Sequence, residues 1–186
     1  MKQLILASSS PRRKSLLERE KIPFVIDVSD IPEPMDMNLS PHELSIKLSR
    51  EKAAVVAARH RNAIVLAADT FVVLEGKYLG KPKSREDALA MLLFQSGKMQ
   101  EVVTGFTLLD TDTKKVFSDA SIAKVYMKRV SATEINAYLD QNTYSDKAGA
   151  YAIQEVGETF VEKIEGDYDT IVGLPVKEVV KKLKEF

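Results

Sequence analysis

Apolar positions along this chain switch repeatedly between short continuous runs and helical spacing. Gln3–Ala7 is a short apolar run that predicts a buried strand, and Ser8-Ser9-Ser10 predicts a loop after it. Ser10-Pro11 sets a capping side chain before Pro at the first helical position, so a helix is expected over 11–20, ended by Pro23. Phe24–Val28 then reads as a strand, and Ile31–Asn38, with Pro32 and Pro34, as a loop. Ser40-Pro41-His42-Glu43 is a capping box that predicts a helix to about Arg59. Ala63–Leu74 is a long apolar run, and the Glu75-Gly76 turn returns Lys77–Leu79 as a hairpin strand.

Ser84 opens a further helix whose apolar side holds Ala88, Leu89, Leu92 and Leu93, stopped by Ser96-Gly97. Glu101–Leu109 and Lys115–Val130 predict two strands around the polar turn Asp110–Lys114. Ser131-Ala132-Thr133-Glu134 starts another helix, expected to end near Asn142. Phe160–Ile164 and Thr170–Val172 read as strands, and Val176, Val179, Val180 and Leu183 mark a last helix. Helices and strands interleave and at least one hairpin is present, so the class is α/β with a mixed sheet.

Composition narrows the function classes. The 27 Lys+Arg balance 27 Asp+Glu, which argues against duplex DNA or an anionic membrane held by bulk charge. A local cationic pocket stays open. The absence of Cys removes disulfides, thiolate zinc sites and cysteine nucleophiles, and suits a reducing compartment. With 186 residues, a single domain spanning 1–186, with room for two lobes, is expected. Met1–Ala7 is too short for a signal peptide, and no window approaches the ~20 apolar residues of a spanning helix, so the expected location is the cytoplasm. There is no GxxxxGK[ST], GxGxxG or GxSxG, and His42 and His60 are isolated on one expected helix.

Several positions break local rules. Arg12, Arg13 and Lys14 fill a helix first turn, where the helix dipole favours acids. Together with three hydroxyls and a helix N-terminus they describe either a phosphate cradle or a solvated basic turn. Asp69 and Thr70 interrupt the apolar run from Ala63 to Leu74. A carboxylate there is a general base or Mg²⁺ ligand at a strand end, or it sits at a solvated kink. Lys52 lies beside the helix stripe of Leu44, Leu48 and Val55, where a snorkelling side chain is the plain alternative. Lys81 stands in the stiff Gly80-Lys81-Pro82 loop. In Asp146–Gln154, small residues permit close backbone approach and Gln154 carries both donor and acceptor, against a plain packed turn and strand.

Taken in order, these segments resemble the Maf family of nucleoside triphosphate pyrophosphatases. The resemblance rests on Leu6–Arg13, Glu51-Lys52-Ala53, Ala68-Asp69-Thr70, Gly80-Lys81-Pro82, Asp146–Tyr151 with Gln154, and Val172-Gly173-Leu174-Pro175. It implies an elongated mixed sheet with two lobes and a central cleft, like inosine triphosphate pyrophosphatases. It further implies hydrolysis of a nucleoside triphosphate to monophosphate and pyrophosphate, assisted by Mg²⁺ or Mn²⁺. By the same resemblance Asp69 is the proton acceptor. Arg12, Thr70 and Gln154 choose the base. Ser8, Arg13, Lys52 and Lys81 hold the phosphates, and Glu33 and Asp69 stand near the metal. A homodimer is the family expectation, with no nucleic acid or membrane partner.

Arg12, Ala68-Asp69-Thr70 and Ala150-Tyr151-Ala152 resemble the branch acting on dTTP and UTP. The alternatives are a pyrophosphatase of 7-methyl-GTP or modified nucleotides, and a non-catalytic nucleotide-binding regulator of cell division. Two positions depart from the family pattern. Gln100 stands where His is frequent, and Pro32 stands at an often acidic position, leaving Glu33 as the only acid there.

Overall fold

The computed structural model describes residues 2–32, 38–141 and 143–186, so Glu33 and Asn142 lie outside the described residues. Helices begin where side chains satisfy their first free N–H groups. Ser10 caps α1 (Pro11–Arg19), and Ser40 caps α2 (Pro41–Ala57) in a reciprocal box with Glu43. Ser84 caps α3 (Arg85–Gln95), but the shorter Asp87 carboxylate accepts from Lys83 N at 2.8 Å instead of completing a box. Ser131 and Glu134 form the full box of α4 (Ala132–Leu139).

The strands are β1 (Gln3–Leu6), β2 (Phe24–Ile26), β3 (Ala63–Leu74), β4 (Lys77–Leu79), β5 (Met99–Asp110), β6 (Val116–Met127) and β7 (Val161–Glu165). They form one open mixed sheet in the order β2-β1-β3-β5-β6-β7, with β4 pairing β3. β1 runs parallel to both β2 and β3, whereas β4 is antiparallel to β3 and β7 to β6.

Three readings change. Ile153–Phe160 is a helix, α5, and Tyr168–Val172 is a short helix, α6, before α7 (Val176–Leu183). α5 has no side-chain cap and carries Gly157 mid-helix, so its start signal is absent. α6 is only five residues long, and Thr170, Ile171 and Val172 have β-branched side chains. His60 lies beyond the end of α2, where it meets Asp27 Oδ2 at 2.7 Å.

The chain divides into two compact units. One comprises 1–70, 104–121 and 173–186, and the other 71–103 and 122–172. In the first, Ala53, Val56 and Ala57 of α2 pack on Ile5, Ala7, Ala63, Val65 and Ala67. Small residues bring α2 close to β5: a Cβ at Gly105 would stand 2.4 Å from the Ser45 carbonyl carbon. In the second, Tyr138 of α4 meets Phe160 edge to face at 5.6 Å. No helix among the described residues is long and apolar enough to cross a membrane.

Candidate active site

Side chains alternate along a strand, so Asp69 continues the row of Ala63, Val65 and Ala67 that faces α2. It lies within β3, which continues unbroken to Leu74, rather than at a strand end or kink. On α2, steps of four place Lys52 in the buried row Leu44, Leu48, Lys52, Val56. Lys52 therefore does not snorkel. It is 6% exposed, Asp69 is 4% exposed, and the Lys52 ammonium donates to Asp69 Oδ1. Each charge offsets the cost of removing the other from water.

Thr70, the next residue, belongs to a second cluster. The Ser8–Ser10 loop leaves β1 where Ala7 N donates to Leu66 O at 2.8 Å. Arg13 follows on the first turn of α1, which has no acidic residue. Its Nε donates to Gly173 O at 2.8 Å, Nη1 to Ser8 Oγ at 3.1 Å and Nη2 to Thr70 Oγ1 at 3.1 Å. Thr70 Oγ1 also lies 2.9 Å from Thr104 Oγ1. Arg12, on the same turn, is half-buried. The basic turn is thus an ordered element, with Arg13 anchored from three directions.

The second unit carries Lys81 and Gln154, both exposed. Gly80 O accepts from Gly149 N at 3.0 Å, tying the Lys81 loop to the 3₁₀ turn Ala148–Ala150. Gly149 has φ +72°, a conformation that favours glycine, and its carbonyl accepts from buried Gln95 Nε2 at 2.8 Å. Gln100 is buried and donates to Tyr151 Oη at 2.7 Å. Burial pushes the Tyr151 phenol well up, and the Gln100 bond opposes this only in part. Gln154 then opens α5 beside buried Ile153.

The structure joins Ser8, Arg13 and Thr70 in one cluster and Lys52 with Asp69 in another, and Asp69-Thr70 links the two. The arrangement offers a buried carboxylate, a preset guanidinium and hydroxyl donors. The Maf-like protein family model matches residues 3–186. This chain belongs to the Maf family. A protein of Alkaliphilus oremlandii named dTTP/UTP pyrophosphatase is 45% identical, covering 95% of this chain and 92% of its own. A relative of the same name from a Thermoanaerobacter species is 43% identical over 98% of this chain and 95% of its own. Another of that name, from Bacillus cereus, is 41% identical over all of this chain and 96% of its own.

Sequence reasoning missed Thr104, the Gly173 carbonyl and Gln95. The signal for Thr104 was a hydroxyl, repeated at Thr107, inside an apolar strand, the same kind that marked Asp69 and Thr70. Gly173 lies in the Val172-Gly173-Leu174-Pro175 motif, which assigns it no role, and Gln95 is an ordinary polar residue near a helix end in sequence.

Proposed function

We propose that this Maf protein hydrolyses nucleoside triphosphates, dTTP and UTP foremost, to the monophosphate and pyrophosphate. The observation that carries the reading is Asp69, a carboxylate buried inside a central strand and joined directly to the residue that holds Arg13. The shared name of the three relatives supports the choice of pyrimidine substrates.

In this reading water attacks the α-phosphorus. A new P–O bond forms, the bond to the β-phosphate oxygen breaks, and pyrophosphate leaves with that electron pair. Asp69 accepts the proton of the attacking water, oriented by Lys52 on its Oδ1. Arg13 and Ser8 hold phosphate oxygens, joined by the Lys52 and Lys81 ammoniums, so charge built up in the transition state is stabilised in place. Arg12, Thr70 and Gln154 set the preference among bases. A cytoplasmic homodimer belongs to the same reading, and light scattering tests its oligomeric part.

The donor set fits a hard divalent ion in one manner. Asp69 supplies one buried carboxylate, and among the described residues no group of three or more ligating His, Asp or Glu side chains occurs. Mg²⁺ binds through one or two carboxylates, with phosphate oxygens and water completing its shell. Asp69 and Glu33 would hold Mg²⁺ or Mn²⁺, which supplies charge neutralisation on the triphosphate.

A panel of nucleoside triphosphates that includes 7-methyl-GTP, with product identification, tests the reading. Pyrophosphate from dTTP and UTP is expected. Orthophosphate as the product, or turnover of 7-methyl-GTP alone, overturns it.

A further inference from the structure

We propose that Thr104 and Gly173 are positioning residues that preset the Arg13 guanidinium as an anion receptor, an inference that rests on the triphosphate reading above. Arg13 is half-buried, and each of its three side-chain nitrogens has an acceptor: Gly173 O, Ser8 Oγ and Thr70 Oγ1. These three acceptors are neutral, and together they orient the plane of the guanidinium. A guanidinium held in one plane matches two phosphate oxygens and loses little freedom on binding them.

Each anchor has its own support. Thr70 Oγ1 accepts from Arg13 Nη2, so its proton is available to Thr104 Oγ1, 2.9 Å away. Thr104 is fully buried, so bulk water does not replace its hydroxyl. Thr104 therefore sets the rotamer of Thr70, and Thr70 sets one edge of Arg13. Gly173 acts on the other edge. Its φ is +121°, a conformation L side chains rarely adopt, and it aims the carbonyl that receives Arg13 Nε at 2.8 Å. A Cβ there would lie 3.5 Å from Thr70 Oγ1 and 3.6 Å from Arg13 Nε, ordinary contact distances. The demand for glycine is conformational, not a matter of space.

The two supports reach Arg13 from far along the chain, with Gly173 160 residues away. Both act through Arg13, so their effects are non-additive with its removal. The test is a mutant cycle read by steady-state pyrophosphate release from UTP. Thr104→Val is expected to raise KM about tenfold with kcat little changed, the mark of lost binding common to ground and transition states. Thr104→Ser, which keeps the hydroxyl, restores the wild-type KM. In an Arg13→Lys background Thr104→Val has little further effect. Gly173→Ala, taken through the same cycle, is the second variant and follows the same pattern. An equal KM rise in both backgrounds overturns the proposal, as does no rise with Thr104→Val.

A second measurement separates this proposal from the substrate reading. In ¹⁵N NMR spectra the Arg13 Nε–Hε signal, assigned by its loss in Arg13→Lys, is expected to be sharp and slow to exchange in the wild type. It is expected to broaden in Thr104→Val. Its absence from the wild-type spectrum overturns the clamp even if UTP is hydrolysed. Its presence in a protein that releases no pyrophosphate removes the substrate reading and leaves the clamp standing.

Discussion

Lys52 and Asp69, 17 residues apart, form a buried ion pair where α2 packs on β3. Neutralising Asp69 removes the carboxylate charge that the buried Lys52 ammonium meets. Removing one member of a buried pair costs about 3–5 kcal/mol, and loss of a general base costs about 10²-fold or more in rate. Asp69→Asn is expected to lose turnover and to shift the urea midpoint down while keeping a native circular dichroism spectrum. Adding Lys52→Met should recover most of the stability and none of the activity. Recovery of activity in the double variant would remove Asp69 from the chemistry.

Gln154 offers a donor and an acceptor from an exposed position on the first turn of α5. A glutamate there offers acceptors alone near neutral pH. Gln154→Glu is expected to change the ranking of kcat/KM among dTTP, UTP, CTP and GTP with stability unaffected. An unchanged ranking means that Gln154 does not read the base.

Gly105 of β5 lies hard against the backbone of α2. An added Cβ would meet Ser45 C, Ser45 O and Ile46 N at 2.4, 2.5 and 2.7 Å, all backbone atoms that cannot rotate away. Overpacking costs about 1–3 kcal/mol, and more when the obstacle is backbone. Gly105→Ala should lower the thermal midpoint markedly. A midpoint within error of the wild type would show that the helix and strand can separate cheaply.

Asp110 closes the β5–β6 turn. Lys2 Nζ donates to its two oxygens at 2.6 and 2.7 Å, and the backbone N–H groups of Asp112 and Thr113 donate to Oδ1. The Lys2 hydrogen bond is the chief cause that holds its carboxyl well below the usual range, against a smaller opposing effect of burial. A depressed folded-state value means the stabilising contribution is complete above the unfolded value of about 3.9. It is lost as pH falls through the lower folded value. The stability gap between wild type and Asp110→Asn should therefore be constant near neutral pH and close progressively below about pH 4. A gap that persists undiminished in strong acid would show that the carboxylate charge contributes nothing.

Local chemistry determined much of this protein. Ser10, Ser40, Ser84 and Ser131 each cap the helix that their sequence context predicts, because a cap needs only its own next turn. Asp69 was legible as an anomaly because a carboxylate in an apolar strand demands a partner wherever the strand lies. The pattern did not reveal α5 or α6, which lack capping side chains or length and are helical through packing. Nor did it reveal the partners themselves. Lys52 meets Asp69 because β3 lies under one row of α2, a row that contains Val56 rather than the Val55 of the expected stripe. Arg13 meets Gly173 because the chain re-enters the first unit at residue 173. The sequence carried the demand for partners in its local composition. The tertiary structure chose them, because contacts between distant residues depend on the path of the whole chain.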